Sequence, residues 1–228
     1  EVYDKLIVVL NIGGVMDLSE MKSIEGVNAI LLMTQLGNLG GDALLDVLIG
    51  KVNPSGKTTD TWAKNYMDYP SSAKFSHNES VHDEMYEDGI YVGYRYFDSF
   101  GVKPLYCFGY GKSYTDFEIK AGKISVEGNE IQIPVTVKNT GNCTGTETLQ
   151  LYIHDIAASV VRPVKELKDF KKVTLLPGEE KKVVFTITEQ ELRFLTEDGI
   201  YASEAGEFEI FIGKDSLTGN KASFVLKK

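Results

Sequence analysis

IQIPVTV, residues 131–137, alternates its side chains without a break. Ile131, Ile133, Val135 and Val137 fall on one face of an extended chain, and their neighbours fall on the other. A period of two marks a strand with one face on a core. The rhythm returns in LQLYIHD (149–155), where Leu149, Leu151 and Ile153 share a face. It continues through VTL (173–175), KKVVFTIT (181–188), EFEIFIG (207–213) and SFVLK (223–227). Turn-forming stretches, KNTGN, LPGEE and SEAGE, separate the strands. Short alternating strands punctuated in this way predict an antiparallel β-sandwich.

Toward the N-terminus the texture changes. LIVVL (6–10) and AILLM (29–33) are continuous apolar runs. Such runs suit strands covered on both faces, as in parallel sheets. GNLGG (37–41) then leads into DALLDVLIG (42–50). There Leu44, Leu45, Val47, Leu48 and Ile49 form an apolar stripe at helical spacing, with Gly50 placed to end the helix. Strand, glycine turn and helix is the logic of an α/β sheet. TTDTW (58–62) is a short β-prone piece, and residues 63 to 85 read as a long polar surface loop. The fold class is therefore α/β followed by all-β.

Between the two textures lies YEDGIYVGYRYFD (86–98), which gathers Tyr86, Tyr91, Tyr94, Tyr96 and Phe97. Read as a strand, it sets Ile90, Val92, Tyr94 and Tyr96 on one face and Tyr91, Gly93, Arg95 and Phe97 on the other. Both faces are largely apolar, so the segment should be covered on both sides. Tyr and Arg suit such seams, where rings are buried and polar tips find partners. A seam between domains is favoured over an open sugar platform.

Composition narrows the function classes. The chain has 228 residues, a net charge of -9 and 43% hydrophobic residues, an ordinary globular balance. The acidic surplus argues against nucleic acid and anionic membranes as main partners, which both call for clustered Lys and Arg. No stretch approaches the ~20 apolar residues of a membrane span. The first residues show no basic region or cleavage site of a signal peptide, and read as a chain starting just before a buried strand. Cys107 and Cys143 form no CxxC pair, so two free thiols and a reducing, cytoplasmic setting are expected. Asn78 and Asn142 match the short glycosylation pattern, which arises readily by chance.

Candidate chemistry is thin. LNIGGVMD (10–17) lacks the G-x-G-x-x-G spacing and reads as a βα turn, not a phosphate cradle. His77, His82 and His154 are scattered. HNESVHDE (77–84) offers a weak metal possibility against a solvated loop, which is favoured. No G-x-S-x-G elbow is present, and Cys107 lies among aromatics, as a buried small residue does. Paired carboxylates would suit glycoside hydrolysis. Asp17, Asp42, Asp60, Glu84, Glu87 and Asp88 lie near loops or element ends of the α/β half, where surface and capping roles are the commoner use.

Taken in order, IVVLNIGG (7–14), GNLGGDALLDVLIGKVNPSGK (37–57), YEDGIYVGYRYFD (86–98), PLYCFGYGKSYTDF (104–117) and RPVKELKDFKKVTLLPGEE (162–180) resemble the C-terminal part of glycoside hydrolase family 3. The resemblance covers nearly the whole chain. It implies β-glucosidases and related exo-acting β-glycosidases, built from a (β/α)8 barrel, an (α/β)6 sandwich and a fibronectin type III-like domain. Residues 1–100 would then be the last part of the sandwich, 101–113 a junction and 114–228 the fibronectin-like domain. The aromatic segment would fix the orientation of the domains, with Arg95 paired to a carboxylate or to carbonyls.

The resemblance also implies what this chain does not supply. The family's aspartate nucleophile belongs to the barrel, and its glutamate acid/base to an EGxDR-like stretch ahead of the VVLN strand. Ser23-Ile-Glu25-Gly26-Val-Asn28 echoes that stretch only superficially and lies after the strand. No catalytic residue is therefore assigned to this chain, no substrate-binding residue is identified, and no metal or organic cofactor is implied. Asn38 and Leu39 stand where the family commonly has Gln-Glu, which puts a polar role of that turn in doubt. The implied partners are a barrel on the same or another chain and a β-glucoside or oligosaccharide substrate. Some members carry these domains ahead of the barrel, so the order stays open. The rival reading is a stand-alone carbohydrate-binding or scaffold module.

Overall fold

The computed structural model describes residues 3–75, 80, 82–128 and 130–227. The α/β half opens with β1 (Leu6–Leu10), α1 (Ser19–Ser23), β2 (Val27–Leu32) and α2 (Gly40–Leu48). β1 and β2 pair in parallel, with Val8 opposite Ile30 and Leu10 opposite Leu32. The glycine turn starts α2, and Gly50 follows it at φ 75°, a left-handed value that favours glycine. Leu10, Leu18 and Trp62 form the buried core of this half, with Val8, Ile12, Met21 and Ile30 packed around them.

The outer surfaces are not covered as their apolar runs predict. Leu6, Ile7, Val9 and Leu32 of the two strands are exposed, as are Leu45, Leu48 and Ile49 at α2. The runs do form a parallel sheet, but among the described residues that sheet has only two strands.

The 58–62 piece does not become a named strand. Trp62 pairs antiparallel with Tyr106, and Thr58 exchanges backbone bonds with Tyr110 and Gly109 at 2.8 Å each. Among its described residues, the polar stretch after it contains one 3-10 turn, Tyr66–Asp68, closed by a capping box between Asn65 and Asp68.

The aromatic segment departs from its strand reading. Residues Tyr94–Ser99 form a helix, α3. The cause is local. Gly89 and Gly93 both take positive φ, and Gly93 sits at φ 56° and ψ -132°. A side chain would make that conformation costly, so Gly93 reverses the chain and starts the helix. Alternation across Ile90, Val92, Tyr94 and Tyr96 is thereby broken. Tyr94 and Phe97 share the buried side at i, i+3 spacing.

The second half is a two-sheet sandwich. Its strands are β3 (Phe117–Ala121), β4 (Ser125–Glu127), β5 (Glu130–Asn139), β6 (Gly145–Asp155), β7 (Glu166–Leu175), β8 (Glu180–Thr188), the short β9 (Phe194–Leu195) and β10 (Tyr201–Ala202), β11 (Gly206–Gly213) and β12 (Lys221–Leu226). One sheet runs β12-β11-β6-β7, and in the other β5 pairs with β3, β4 and β8. Ile131, Ile133, Val135 and Val137 of β5 and Phe185 of the neighbouring β8 share one core with Leu149, Leu151 and Ile210 of the other sheet. The period-two pattern thus places each of these side chains inside.

Candidate functional site

The seam between the halves is built around α3. Tyr94 is 6% exposed, stacks within 5.0 Å of Phe108 and meets Tyr152 edge-on at 5.6 Å. Its phenol oxygen accepts the Leu167 N–H at 2.7 Å. One turn further on, Asp98 lies 3.4 Å from the Lys165 ammonium, and Ser99 accepts the Val164 N–H at 3.0 Å. Burial pushes the Asp98 carboxyl up, and Lys165 opposes the shift. Arg95 lies 3.9 Å from Glu166, a carboxylate that also meets Arg162 and Lys168.

A second set of contacts locks the junction peptide. Asn53 accepts from the Ser113 hydroxyl at 2.9 Å and the Tyr114 N–H at 2.8 Å, and donates to the Thr144 carbonyl at 3.0 Å. The Tyr114 hydroxyl donates to the Val47 carbonyl at 2.8 Å. Lys57 reaches Glu147 of β6 at 2.7 Å and donates to the Gly111 carbonyl at 3.1 Å. These contacts pack the junction around Tyr94 and Phe97, but the aromatic segment is not covered on both sides as its sequence predicts: Tyr86, Ile90 and Val92, ahead of the helix, are exposed.

Beside the seam a groove of about 510 Å³ opens between the loop after β1, residues 59–75, residues 88–95 and Phe108. Asp17, Asp60 and Asp88 line it together with Thr61, Tyr66, Phe75 and Arg95. Asp17 bonds the Ser19 N–H at 2.8 Å, and its bonds to Ser19 hold its carboxyl below the ordinary range. Tyr69, also on the wall, is pushed up by burial and by the charges of Asp60 and Asp17. Tyr69 donates to the Thr61 carbonyl at 3.1 Å, which ties the groove floor to α3 through its edge contact with Phe97.

Three of the six candidate carboxylates thus share one wall. The other three do not. Asp42 sits in the exposed first turn of α2, where a negative charge suits the helix N-terminus. Glu87 pairs with Lys74 at 2.6 Å, and Glu84 does not line the groove. Thr61, Tyr66 and Phe75 carried no sequence signal, because the groove joins segments far apart in the chain.

The histidines do not converge. His77 and Asn78 lie outside the described residues. His82 is exposed, and His154 of β6 stands 3.6 Å from Glu209. Among the described residues no group of three or more His, Cys, Asp or Glu could hold a metal ion, and no helix is long and apolar enough to cross a membrane. Gly13 and Gly14 lie in the exposed loop after β1. Both cysteines are free thiols, and burial pushes the Cys107 thiol up to about 11. Asn142 is exposed, Asn28 accepts the Leu6 N–H at 2.8 Å, and Leu39 of the glycine turn is 74% exposed.

Comparison with known proteins adds an independent line. Residues 1–94 match the model of the glycosyl hydrolase family 3 C-terminal domain, and residues 147–216 that of a fibronectin type III-like domain. Beta-glucosidase BoGH3A of Bacteroides ovatus is 43% identical over 206 residues, covering 86% of this chain and 27% of that protein. Thermostable beta-glucosidase B of Acetivibrio thermocellus is 42% identical over 221 residues, covering 95% of this chain and 29% of its own. The structure of beta-glucosidase 3B from Thermotoga neapolitana in complex with glucose superposes with a TM-score of 0.89 at 38% identity, covering 98% of this chain and 31% of that one. The chain thus spans under a third of the length of each of these three.

Proposed function

This chain belongs to glycosyl hydrolase family 3, of which it carries the C-terminal domain and the fibronectin type III-like domain, and we propose that it serves as a segment of a retaining, exo-acting β-glycosidase of β-glucosidase type. In this reading residues 1–100 complete an α/β sandwich, 101–113 join it to the next domain, and 114–228 are the fibronectin-like domain. The segment walls the substrate pocket and braces the assembly. The two carboxylates of a retaining mechanism, about 5–5.5 Å apart, come from elsewhere in the enzyme.

The observation that carries the proposal is the uncovered α/β half. Two parallel strands and α2 leave Ile7, Val9, Leu45 and Ile49 in solvent. Parallel sheets are covered on both faces in stable folds, so this surface calls for further protein. The rest of the α/β sandwich, carried with the barrel on the same or another chain, supplies it. The same surface speaks against a stand-alone module.

The test is release of nitrophenol from a nitrophenyl β-glucoside. The chain alone is expected to give no turnover above buffer, and activity is expected when a barrel-bearing family 3 polypeptide lacking these domains is added. Turnover by the purified chain alone would place both carboxylates here and overturn the proposal.

A further inference from the structure

Four consecutive residues at the entry to β7 are each met by a different residue of α3. Ser99 accepts the Val164 N–H at 3.0 Å, and Asp98 lies 3.4 Å from the Lys165 ammonium. Arg95 lies 3.9 Å from Glu166, and the Tyr94 hydroxyl accepts the Leu167 N–H at 2.7 Å. Positions along the helix descend as those along the strand ascend. The two outer contacts take backbone donors, which every residue but proline offers. The two inner contacts take side chains, a cation and then an anion.

The order of those charges excludes the neighbouring registers. A shift of one residue is about 3.4 Å along an extended chain. In one direction it sets Glu166 against Asp98, and in the other it sets Lys165 against Arg95. Like charges meet in both cases, so each displaced docking is opposed and not merely unrewarded. The ladder of β7 with β6 steps by a residue just beyond this segment, with Leu151 opposite Asp169 and Tyr152 opposite Leu167. Regular pairing further along β7 therefore does not carry its register through to the entry.

The inner pair is a poor source of net stability. The side chains of Asp98 and Lys165 are 6% and 10% exposed, so both charges have left water. The Lys165 ammonium has the rings of Tyr152 and Phe211 as further neighbours, at 5.9 and 5.4 Å. A desolvated pair of this kind often adds no more than apolar groups of the same volume, whereas removing one partner is costly. Fixing a register is the best-attested use of such a pair.

We propose that this face of α3 is a recognition surface for an extended segment carrying a cation followed by an anion, and that it admits the β-sandwich in one register only. The packing of Tyr94 and Phe97 supplies affinity at the seam, while Asp98 and Arg95 supply selection. The inference concerns the join between the two halves and does not rest on the glycosidase reading.

Pulsed EPR distances between nitroxides at Asp42→Cys on α2 and Lys182→Cys on β8, in a Cys143→Ser background, test this. Both positions are exposed and lie in different halves. The otherwise unaltered seam should give one narrow distance distribution. Asp98→Lys and Lys165→Glu should each broaden it or add a second distance, and the two together should restore it. Asp98→Leu with Lys165→Met should leave the melting temperature within a few degrees of wild type and still broaden the distribution. Cys107, 4% exposed at the same seam, supplies a second readout. Its labelling should accelerate about a hundredfold in Lys165→Glu, the lower end of what breaking a buried pair costs. The added negative charge can only reduce its thiolate, so that acceleration reports opening. In the combined reversal the rate should return to within about tenfold of wild type. Where a single reversal does not fold, the combined reversal and the apolar pair decide. A combined reversal that does not fold, or that docks no better than the single ones, overturns the proposal. So does an apolar pair with a distribution as narrow as wild type, which would mean that ring packing alone sets the register.

Discussion

The phenol oxygen of Tyr94 accepts the backbone N–H of Leu167 at 2.7 Å, joining positions 73 residues apart. One hydroxyl on α3 thus satisfies a donor at the start of β7, while its ring packs between Phe108 and Tyr152. Tyr94→Phe keeps the ring and strands the Leu167 donor. The expected loss is about 1–3 kcal/mol. Tyr94→Ala should cost about 3–5 kcal/mol, because the cavity term is added. Urea unfolding of the two variants separates the bond from the packing. Equal losses would mean that the hydrogen bond contributes nothing.

Glu166 gathers Arg95, Arg162 and Lys168 at the same seam. Burial pushes its carboxyl up, but Lys168, Arg162 and Arg95 outweigh it and the net shift is downward. The folded pKa therefore lies below the unfolded one. The stabilisation is complete above the unfolded carboxylate range, near pH ~4.3, and is lost as pH falls through the folded value. Glu166→Gln should cost about 2 kcal/mol at neutral pH, since three cations lose one anion. The variant should also lose less than the wild type on going from pH 6 to pH 3. Parallel stability curves for the two proteins would contradict the assignment. Asp98 runs the other way. Burial raises it, so its contribution is full below the unfolded value and fades as pH rises through the folded one.

Legibility in the sequence followed the range of the interactions. The sandwich was readable because its determinant is strictly local: Ile131 to Val137 alternate, and each of the four is buried at 1% or less. α3 was misread for a related reason. Its residues alternate well enough for a strand, but the backbone of Gly93 overrides the side-chain pattern, and a glycine in sequence does not declare its φ. Arg95 was rightly expected to meet a carboxylate, though which one depends on β7. The groove was least legible. Asp17, Asp60 and Asp88 stood out only as acids near element ends, and Thr61 not at all, because three distant segments must fold before they face each other.

Gly111 has no room for a side chain. A Cβ there would collide with the Gly56 carbonyl oxygen and press on the Lys57 stem at 3.1 Å. The obstacle is backbone, and Lys57 is itself held by Glu147 at 2.7 Å. Gly111→Ala should destabilise by about 3 kcal/mol. For a chain of this size that lowers the melting temperature by about 6–12 °C. Gly128→Ala, which meets nothing within 4 Å but sits at φ 62°, is the comparison for backbone strain alone. Its cost should be clearly smaller.

The two thiols should behave differently. Cys107 is 4% exposed, and its pKa of about 11 leaves little thiolate at neutral pH. Cys143 is partly exposed beside the Tyr114 carbonyl. In the native chain an aromatic disulfide reagent should therefore label Cys143 and spare Cys107. Labelling of Cys107 should appear only along the urea unfolding transition, as read by mass spectrometry of the digested protein. Rapid native labelling of Cys107 would show that the seam opens without global unfolding.

The last prediction bears on the uncovered surface. Leu45 and Ile49 are 53% and 64% exposed at the outer side of α2. If further protein of the parent enzyme covers them, they act as an interface and not as a core. Leu45→Glu with Ile49→Glu should then leave the melting temperature of the chain within a few degrees of wild type, as surface changes do. Self-association should fall, because an apolar patch becomes charged. Complementation of a barrel-bearing polypeptide should weaken at least tenfold in the concentration needed, since two charges would be buried unpaired at the contact. Sedimentation and the nitrophenol assay read the two effects on one preparation. Improved solubility with undiminished complementation would mean that α2 faces solvent in the assembled enzyme, and the covering protein would have to lie on β1 and β2 alone.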